Sequence, residues 1–339
     1  MSKKSKSPFG IFTESIGLYF SNFDKFVKYM TFPVIGQILG LAVVFLCTYF
    51  YSKNLPSLIE KYSAFNNFNT LVLMSVLVAI PGLVIFTKAF WEYLVAYGAV
   101  NSMLDNMLKS GKVYDFNAHT ELIKRRTAGY IGLWLIFGIL SLIACCPLLW
   151  VPALILTVYF VLIFQVFTYE PELSPVGCFK RSFNLIKGHF AATFILMALA
   201  GLLTWVFIPQ ITNNIFNILK INDFFAGLVI PFTEILPLNE INAFFAQMQL
   251  PAIKPFDAAM LIVTTTVTQI MIQYTLPMRS LLFGLWYKEL DDSSEPTVQK
   301  KKKSSSKRPS EKLMEESHKK YSSKKIDKNI LKRAMEKEE

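Results

Sequence analysis

Residues 129–168 run for forty positions without a formal charge. A hydrocarbon core about 30 Å thick takes roughly 20 apolar residues as one helix. The run is too long for one ordinary span and right for two. In lipid, backbone N–H and C=O groups find no water, so such a segment must close its own hydrogen bonds as helix. Cys146-Pro147 marks a turn between two spans, with Pro152 just inside the returning helix and the adjacent Cys145 and Cys146 as small apolar residues at the tip. The same argument predicts spans at about 30–51, 70–87, 128–146, 148–168, 189–211 and 257–276. The predicted fold is therefore all-α: a polytopic membrane helix bundle of about six transmembrane helices, accompanied by cytoplasmic amphipathic helices.

Composition supports this. The chain is 53% hydrophobic and only 17% charged, against about 25% charged in ordinary soluble domains. Nearly half of the Lys and Arg lie beyond Leu290 or just before it, so the net charge of +11 is misleading for the body of the protein. Pro33 falls in the first turn of the first span, where proline is tolerated. Pro81-Gly82 predicts a kink in the second, whose helix continues past Lys88 and Glu92 to about Lys109 and stops at Gly111. Residues 112–128 read as a polar linker, and 212–256 as the longest loop between spans. Within that loop 224–238 is apolar but interrupted by Pro231 and Glu234, which predicts an interfacial or re-entrant segment rather than a seventh span. Pro277 breaks or kinks the last span.

Two stretches read as amphipathic helices. Residues 10–29 stack Phe12, Ile16, Tyr19, Phe23 and Phe26 on one face. In 170–201, Ser174 is a good N-cap and Pro175 suits the first helical position. Val176, Phe179, Phe183, Ile186 and Phe190 then recur at spacings of three and four, opposite Lys180, Arg181, Asn184 and Lys187. An apolar stripe facing a basic one suits a helix in the membrane interface, with Lys180, Arg181 and Lys187 toward anionic headgroups. The alternative is a cytosolic loop helix packed on its own protein. Shifting the chain by 167 residues aligns Phe12–Leu18 with Phe179–Leu185 and Phe23 with Phe190. This alignment suggests two like-oriented halves around the 128–168 hairpin.

Orientation follows from the cations. One side receives 1–29, 88–128, 169–189 and everything from Arg279; the other receives only Lys53, Lys61, Lys220 and Lys254. The positive-inside rule puts the rich side, and with an even number of spans both termini, in the cytoplasm of a cell whose inner (plasma) membrane holds the protein. The tail 291–339 is Lys-, Ser- and Glu-rich, poor in apolar residues, and expected to be disordered. It suits anionic lipid or a protein partner. No aromatic-interleaved module accompanies it, so no specific nucleic-acid partner is expected.

Catalytic patterns are missing. His119, His189 and His318 are far apart, the four cysteines show no metal spacing, and no phosphate loop, dinucleotide fingerprint or nucleophile elbow occurs. No cofactor is expected, and His189 reads as an interfacial side chain. Span centres are nearly free of charge. Gln165, Gln269 and Gln273 are the candidate intramembrane polar residues, with Thr264–Thr266 and Thr268 beside them. They read as hydrogen-bond glue between helices, or as the lining of a substrate path.

The stretch Leu173-Ser-Pro-Val-Gly-Cys-Phe-Lys-Arg-Ser-Phe-Asn-Leu-Ile-Lys-Gly-His-Phe resembles the bacterial glycerophosphoryl diester phosphodiesterase membrane-domain group and related uncharacterised six-span families. The ending Phe283-Gly-Leu-Trp-Tyr-Lys-Glu-Leu is similar to their closing motif. The likeness covers about residues 8–290. Some members carry a fused phosphodiesterase barrel, for which this chain has no room, so the resemblance implies no enzyme. The expected function is a non-enzymatic membrane scaffold or accessory subunit engaging anionic lipid or a partner. The competing classes are a transporter or lipid-handling protein built from two parallel halves, and an insertase-like assistant, which would need a polar intramembrane groove.

Overall fold

The computed structural model describes residues 6–110, 116–143 and 147–294. Cys145, Cys146, Gly111 and the tail from Glu295 lie outside the described residues. Among the described residues the regular structure is helical throughout. Helices α1 (Pro8–Phe20), α2 (Phe23–Lys61), α3 (Phe68–Ser110), α4 (Phe116–Lys124), α5 (Thr127–Ile143), α6 (Trp150–Phe160) and α7 (Ile163–Tyr169) lead to the central α8 (Pro175–Ile186). They are followed by α9 (Phe190–Gly201), α10 (Ile208–Ile218), α11 (Ile221–Val229), α12 (Leu238–Gln247), α13 (Pro255–Tyr274) and α14 (Leu276–Ser294). Among the described residues five helical runs are long and apolar enough to cross a membrane: Phe23–Lys61, Phe68–Lys109, Trp150–Tyr169, Phe190–Ile218 and Pro255–Ser293. The segments Ile221–Thr233 and Leu238–Gln247 together reach six, bent by 100° as a broken span or re-entrant loop. Helix α5, at 17 residues, is about 26 Å long, just short of the hydrocarbon thickness. The protein is an all-α, multi-pass membrane bundle.

Several boundaries differ from the expectation. Helix α2 begins at Phe23, so Pro33 lies in its interior, not its first turn. The predicted amphipathic helix over 10–29 is two helices. Ser21 Oγ and Asn22 Nδ2 donate to Gly17 O (2.7 Å) and Leu18 O (3.1 Å), which closes α1 on its last carbonyls. Its buried face is Ile11, Ser15 and Tyr19, and Phe23 is exposed. The linker 112–128 contains α4, which buries Ala118, His119, Leu122 and Ile123; their spacing is that of one helical face. The loop 212–256 is mostly helix, because α10, α11 and α12 occupy it. The last apolar run is interrupted at Thr275. Two residues on, Pro277 has no N–H to offer the helix.

The chain forms two compact units. One takes the chain up to Val27, Leu94–Ala200 and the part from Leu276; the other takes Lys28–Tyr93 and Gly201–Thr275. In the first unit α1 lies on α14, and α8 packs on α5, α6, α7 and α14. Phe26, Met103, Leu104, Tyr130, Phe167 and Tyr287 are among its largest fully buried side chains. In the second unit α2 and α3 meet through glycine. A Cβ on Gly40 would stand 2.5 Å from Phe86 N, and one on Gly82 2.5 Å from Gly40 O and Val44 N. Gly36 would bring a Cβ to 2.8 Å from that of Ala89. Without a hydrophobic drive between helices in lipid, such backbone approach supplies the van der Waals contact that holds them together. Gln37 Nε2 adds a bond to Gln273 Oε1 at 3.0 Å and one to Pro33 O at 2.8 Å. Helix α13 also packs on α10 and α11, around Ala226, Ala259 and Val263.

The 167-residue register reaches further upstream than the aromatic alignment. Ser7-Pro8-Phe9-Gly10 opens α1 and Ser174-Pro175-Val176-Gly177 opens α8. Each serine hydroxyl accepts from the glycine N–H three residues on, at 3.1 and 3.2 Å. Ile11, Ser15 and Tyr19 are buried, and so are their counterparts Cys178, Ser182 and Ile186.

Two outcomes test this packing. Gly40→Leu and Gly82→Val should each destabilise the protein by on the order of 2 kcal/mol or more through overpacking. Gly138→Leu, where a Cβ meets nothing within 4 Å, should be neutral. Thermal aggregation in detergent, read by size-exclusion chromatography, separates the two cases; equal behaviour would remove the glycine seam as a stabilising feature.

Candidate functional site

The first unit gathers polar side chains where α3, α7, α8 and α14 meet. Helix α8 starts where Ser174 caps Gly177 N–H and Pro175 takes the first position. It buries Cys178, Ser182, Leu185 and Ile186. The buried face is therefore rotated from the predicted apolar stripe: Ile186 is buried, but Val176 and Phe183 are exposed. Ser182 Oγ donates to Tyr159 O at 2.7 Å and so ties α8 to α6.

The three predicted cations part company. Arg181 turns inward: its Nε donates to Glu170 Oε1 at 2.9 Å and its Nη2 to Asp291 Oδ1 at 2.6 Å. Tyr287 OH donates to the same Glu170 oxygen at 2.8 Å. Lys180 and Lys187 remain exposed. Burial lowers the Arg181 guanidinium pKa, but the hydrogen bond and charge of Glu170, with the charge of Asp291, outweigh it and raise it overall. Nearby, Arg126 stacks 3.8 Å above the Phe167 ring and donates to Phe167 O. Its pKa is lowered, chiefly by burial.

A second layer lies behind this clasp. The Tyr287 ring stacks on Tyr169 at 5.1 Å, and Lys288 pairs with Asp105 while standing over the Tyr169 ring. Tyr169 OH donates to Asn101 O at 2.7 Å. Ser280 Oγ is 2.9 Å from both Tyr97 O and Asn101 Oδ1. Gln165 Nε2 donates to Tyr97 OH at 3.2 Å and to Asn101 Oδ1 at 3.4 Å. Beside them, buried His119 on α4 has Nδ1 at 2.7 Å from Ser102 Oγ, which ties α4 to α3.

The three candidate glutamines thus do not converge. Gln165 is fully buried in this cluster; Gln273 pairs with Gln37 in the other unit; Gln269 is exposed. Of the threonines, Thr268 accepts from Asn213 Nδ2 at 2.9 Å. His189 is exposed, its ring edge-on to Trp286. Sequence reasoning missed Glu170, Asp291, Asn101, Ser280 and Gln37. Glu170 and Asp291 flank apolar runs and look like ordinary boundary charges. Asn101 and Gln37 do sit inside long apolar segments, the signal that singled out Gln165. Among the described residues no group of three His, Cys, Asp or Glu side chains is placed to hold a metal ion. Chemically, the arrangement can lock α8 to α14 through charge and hold neutral amides in a water-poor interior.

A scan against protein-family models found no match, and neither a curated protein nor a solved structure matches the chain.

Arg181→Leu should strand Glu170 and Asp291, whose side chains are 27% and 5% exposed. The expected loss is on the order of 3 kcal/mol, since an abandoned buried charge costs more than the pair gains. Thermal unfolding in lipid nanodiscs measures it, and a wild-type melting point would show that the clasp contributes nothing. Burial also pushes the Cys178 thiol up to about 11, against the pull of Arg126 and with a smaller push from Glu170. Because the folded value lies above the unfolded one of about 9, this thiol's contribution to stability is intact below pH 9 and lost as pH climbs through 11. At pH 8 Cys178 should resist alkylation in the native protein and react once unfolded in SDS; native labelling would contradict its burial.

Proposed function

We propose that this chain is a non-enzymatic membrane scaffold or accessory subunit of the cell's inner membrane, with both termini cytoplasmic, that engages anionic lipid along the free edge of α8. One observation carries the proposal. The Arg181 clasp holds α8 against its own protein, and the edge left over combines exposed Lys180 and Lys187 with exposed Val176 and Phe183. Cations beside apolar side chains suit the boundary between headgroups and acyl chains. The interfacial role and the packed role, opposed on the sequence, become compatible because different sides of one helix serve them. The cation bias of 1–29, 88–128 and 169–189 supports the cytoplasmic orientation. The tail from Glu295, outside the described residues, remains the proposed contact for a protein partner or further anionic lipid.

The second reading, a lipid-handling or transport protein of two parallel halves, is favoured by the matched Ser-Pro-x-Gly openings of α1 and α8 at one constant shift. A shared opening motif argues for a repeat, and parallel repeats occur in some transporters.

Each lysine near an anionic surface is worth about 1 kcal/mol, so losing two should weaken binding roughly 30-fold. Lys180→Gln/Lys187→Gln should therefore co-purify with far less phosphatidylglycerol, by lipid mass spectrometry, with its melting point unchanged. Equal anionic lipid in both proteins would sink the proposal, as would a reporter fused after Glu339 found outside the cytoplasm.

A further inference from the structure

Asn101 on α3 and Gln165 on α7 are both fully buried, and their amides face each other. Each leaves one polar atom without a partner: the donor Asn101 Nδ2 and the acceptor Gln165 Oε1. Turning both amides over preserves their mutual bond and only exchanges the roles. Asn101 then leaves an oxygen unpaired and Gln165 a nitrogen. In either orientation the pair needs one donor and one acceptor from elsewhere. Folded interiors leave few such groups unmet, because desolvation is not repaid.

A third unpaired atom belongs to the same unit. Trp134 Nε1 is buried without a partner. The Trp134 ring lies 6.5 Å from that of Tyr97, which is bonded to Gln165, and 4.3 Å from that of Phe164. Of the four unpaired buried side-chain atoms among the described residues, three thus belong to Tyr97 and its neighbours; the fourth, Asn222 Oδ1, lies in the other unit.

Beyond each other, the hydrogen-bond partners of the two side-chain amides are Tyr97 and Ser280, both uncharged. Nothing there would neutralise an ion, and burying one unpaired is prohibitive. A group that both donates and accepts answers both amides at once, and a hydroxyl does so with a single oxygen. We propose that Asn101 and Gln165 form a buried binding site for a neutral hydroxyl, supplied either by a bound water or by a small uncharged polyol. Trp134 Nε1 offers a further donor on the aromatic side. The site stands apart from the lipid-engaging edge, because Lys180 and Lys187 take no part in it.

X-ray radiolysis of the full chain in lipid nanodiscs, followed by mass spectrometry, reads hydroxyl radicals born at bound water. If water is the occupant, Tyr97 and Trp134 are oxidised beyond what their accessibility accounts for. That excess is lost in Asn101→Leu/Gln165→Met. If a polyol is the occupant, the excess is missing, but glycerol titrated into the sample raises the melting temperature of the wild type and not of the double variant. Should the double variant fail to fold, Gln165→Met alone carries both comparisons. Oxidation identical in wild type and variant, together with an equal response to glycerol, overturns the site.

Discussion

Lipid offers the peptide group no hydrogen bonds, and the rest of this structure is built under that constraint. The long apolar helices among the described residues close their N–H and C=O groups internally, and short turns join them. The helices then outgrow the hydrocarbon. At 39 residues, α2 is about 58 Å long, nearly twice the core thickness. The polar ends of such helices lie beyond the membrane, and charge can be arranged there.

With the backbone satisfied, side chains must hold helices together without a hydrophobic drive between them. The two units do so differently. The second brings α2 and α3 to backbone contact at Gly40 and Gly82 and adds side-chain amide hydrogen bonds such as Gln37 with Gln273 and Asn213 with Thr268. The first uses a layered polar set that runs from the Arg181 clasp through Tyr287 and Tyr169 to Asn101 and Gln165. The outer layer is ionic: Arg181 and Glu170 stay partly open to solvent, and buried Asp291 is held by its pair with Arg181. The inner layer is neutral amide and hydroxyl, as burial requires.

Much of α8 was legible. Ser174 and Pro175 announce its start by local chemistry alone, and the structure puts cap and first turn there. Which way the helix faces was not. Val176, Cys178, Phe179 and Leu185 are all apolar enough to be buried, and the neighbours on α5, α6, α7 and α14 select Cys178 and Leu185. Arg181 resembles Lys180 in sequence but lies about 100° further round the helix. That angle separates an ion pair from an exposed cation. Asp291 lies 110 residues from Arg181 and Asn101 lies 64 from Gln165, beyond any local pattern. Gly36-x-x-x-Gly40, by contrast, is a readable small-residue motif, and it forms the α2 side of the α2–α3 contact.

By itself the sequence determined the solvent and the secondary structure. Forty uncharged residues and four further apolar spans admit a helical membrane protein and little else, because unmet backbone groups are too costly in hydrocarbon. Tertiary structure alone decided which polar groups meet. It divided Lys180 and Lys187 from Arg181, paired Gln273 with Gln37, and left Asn101 and Gln165 each one bond short. Hydropathy is a property of each residue and can be read one segment at a time. A hydrogen bond is a property of two, and its strength depends on a distance that only the folded chain sets.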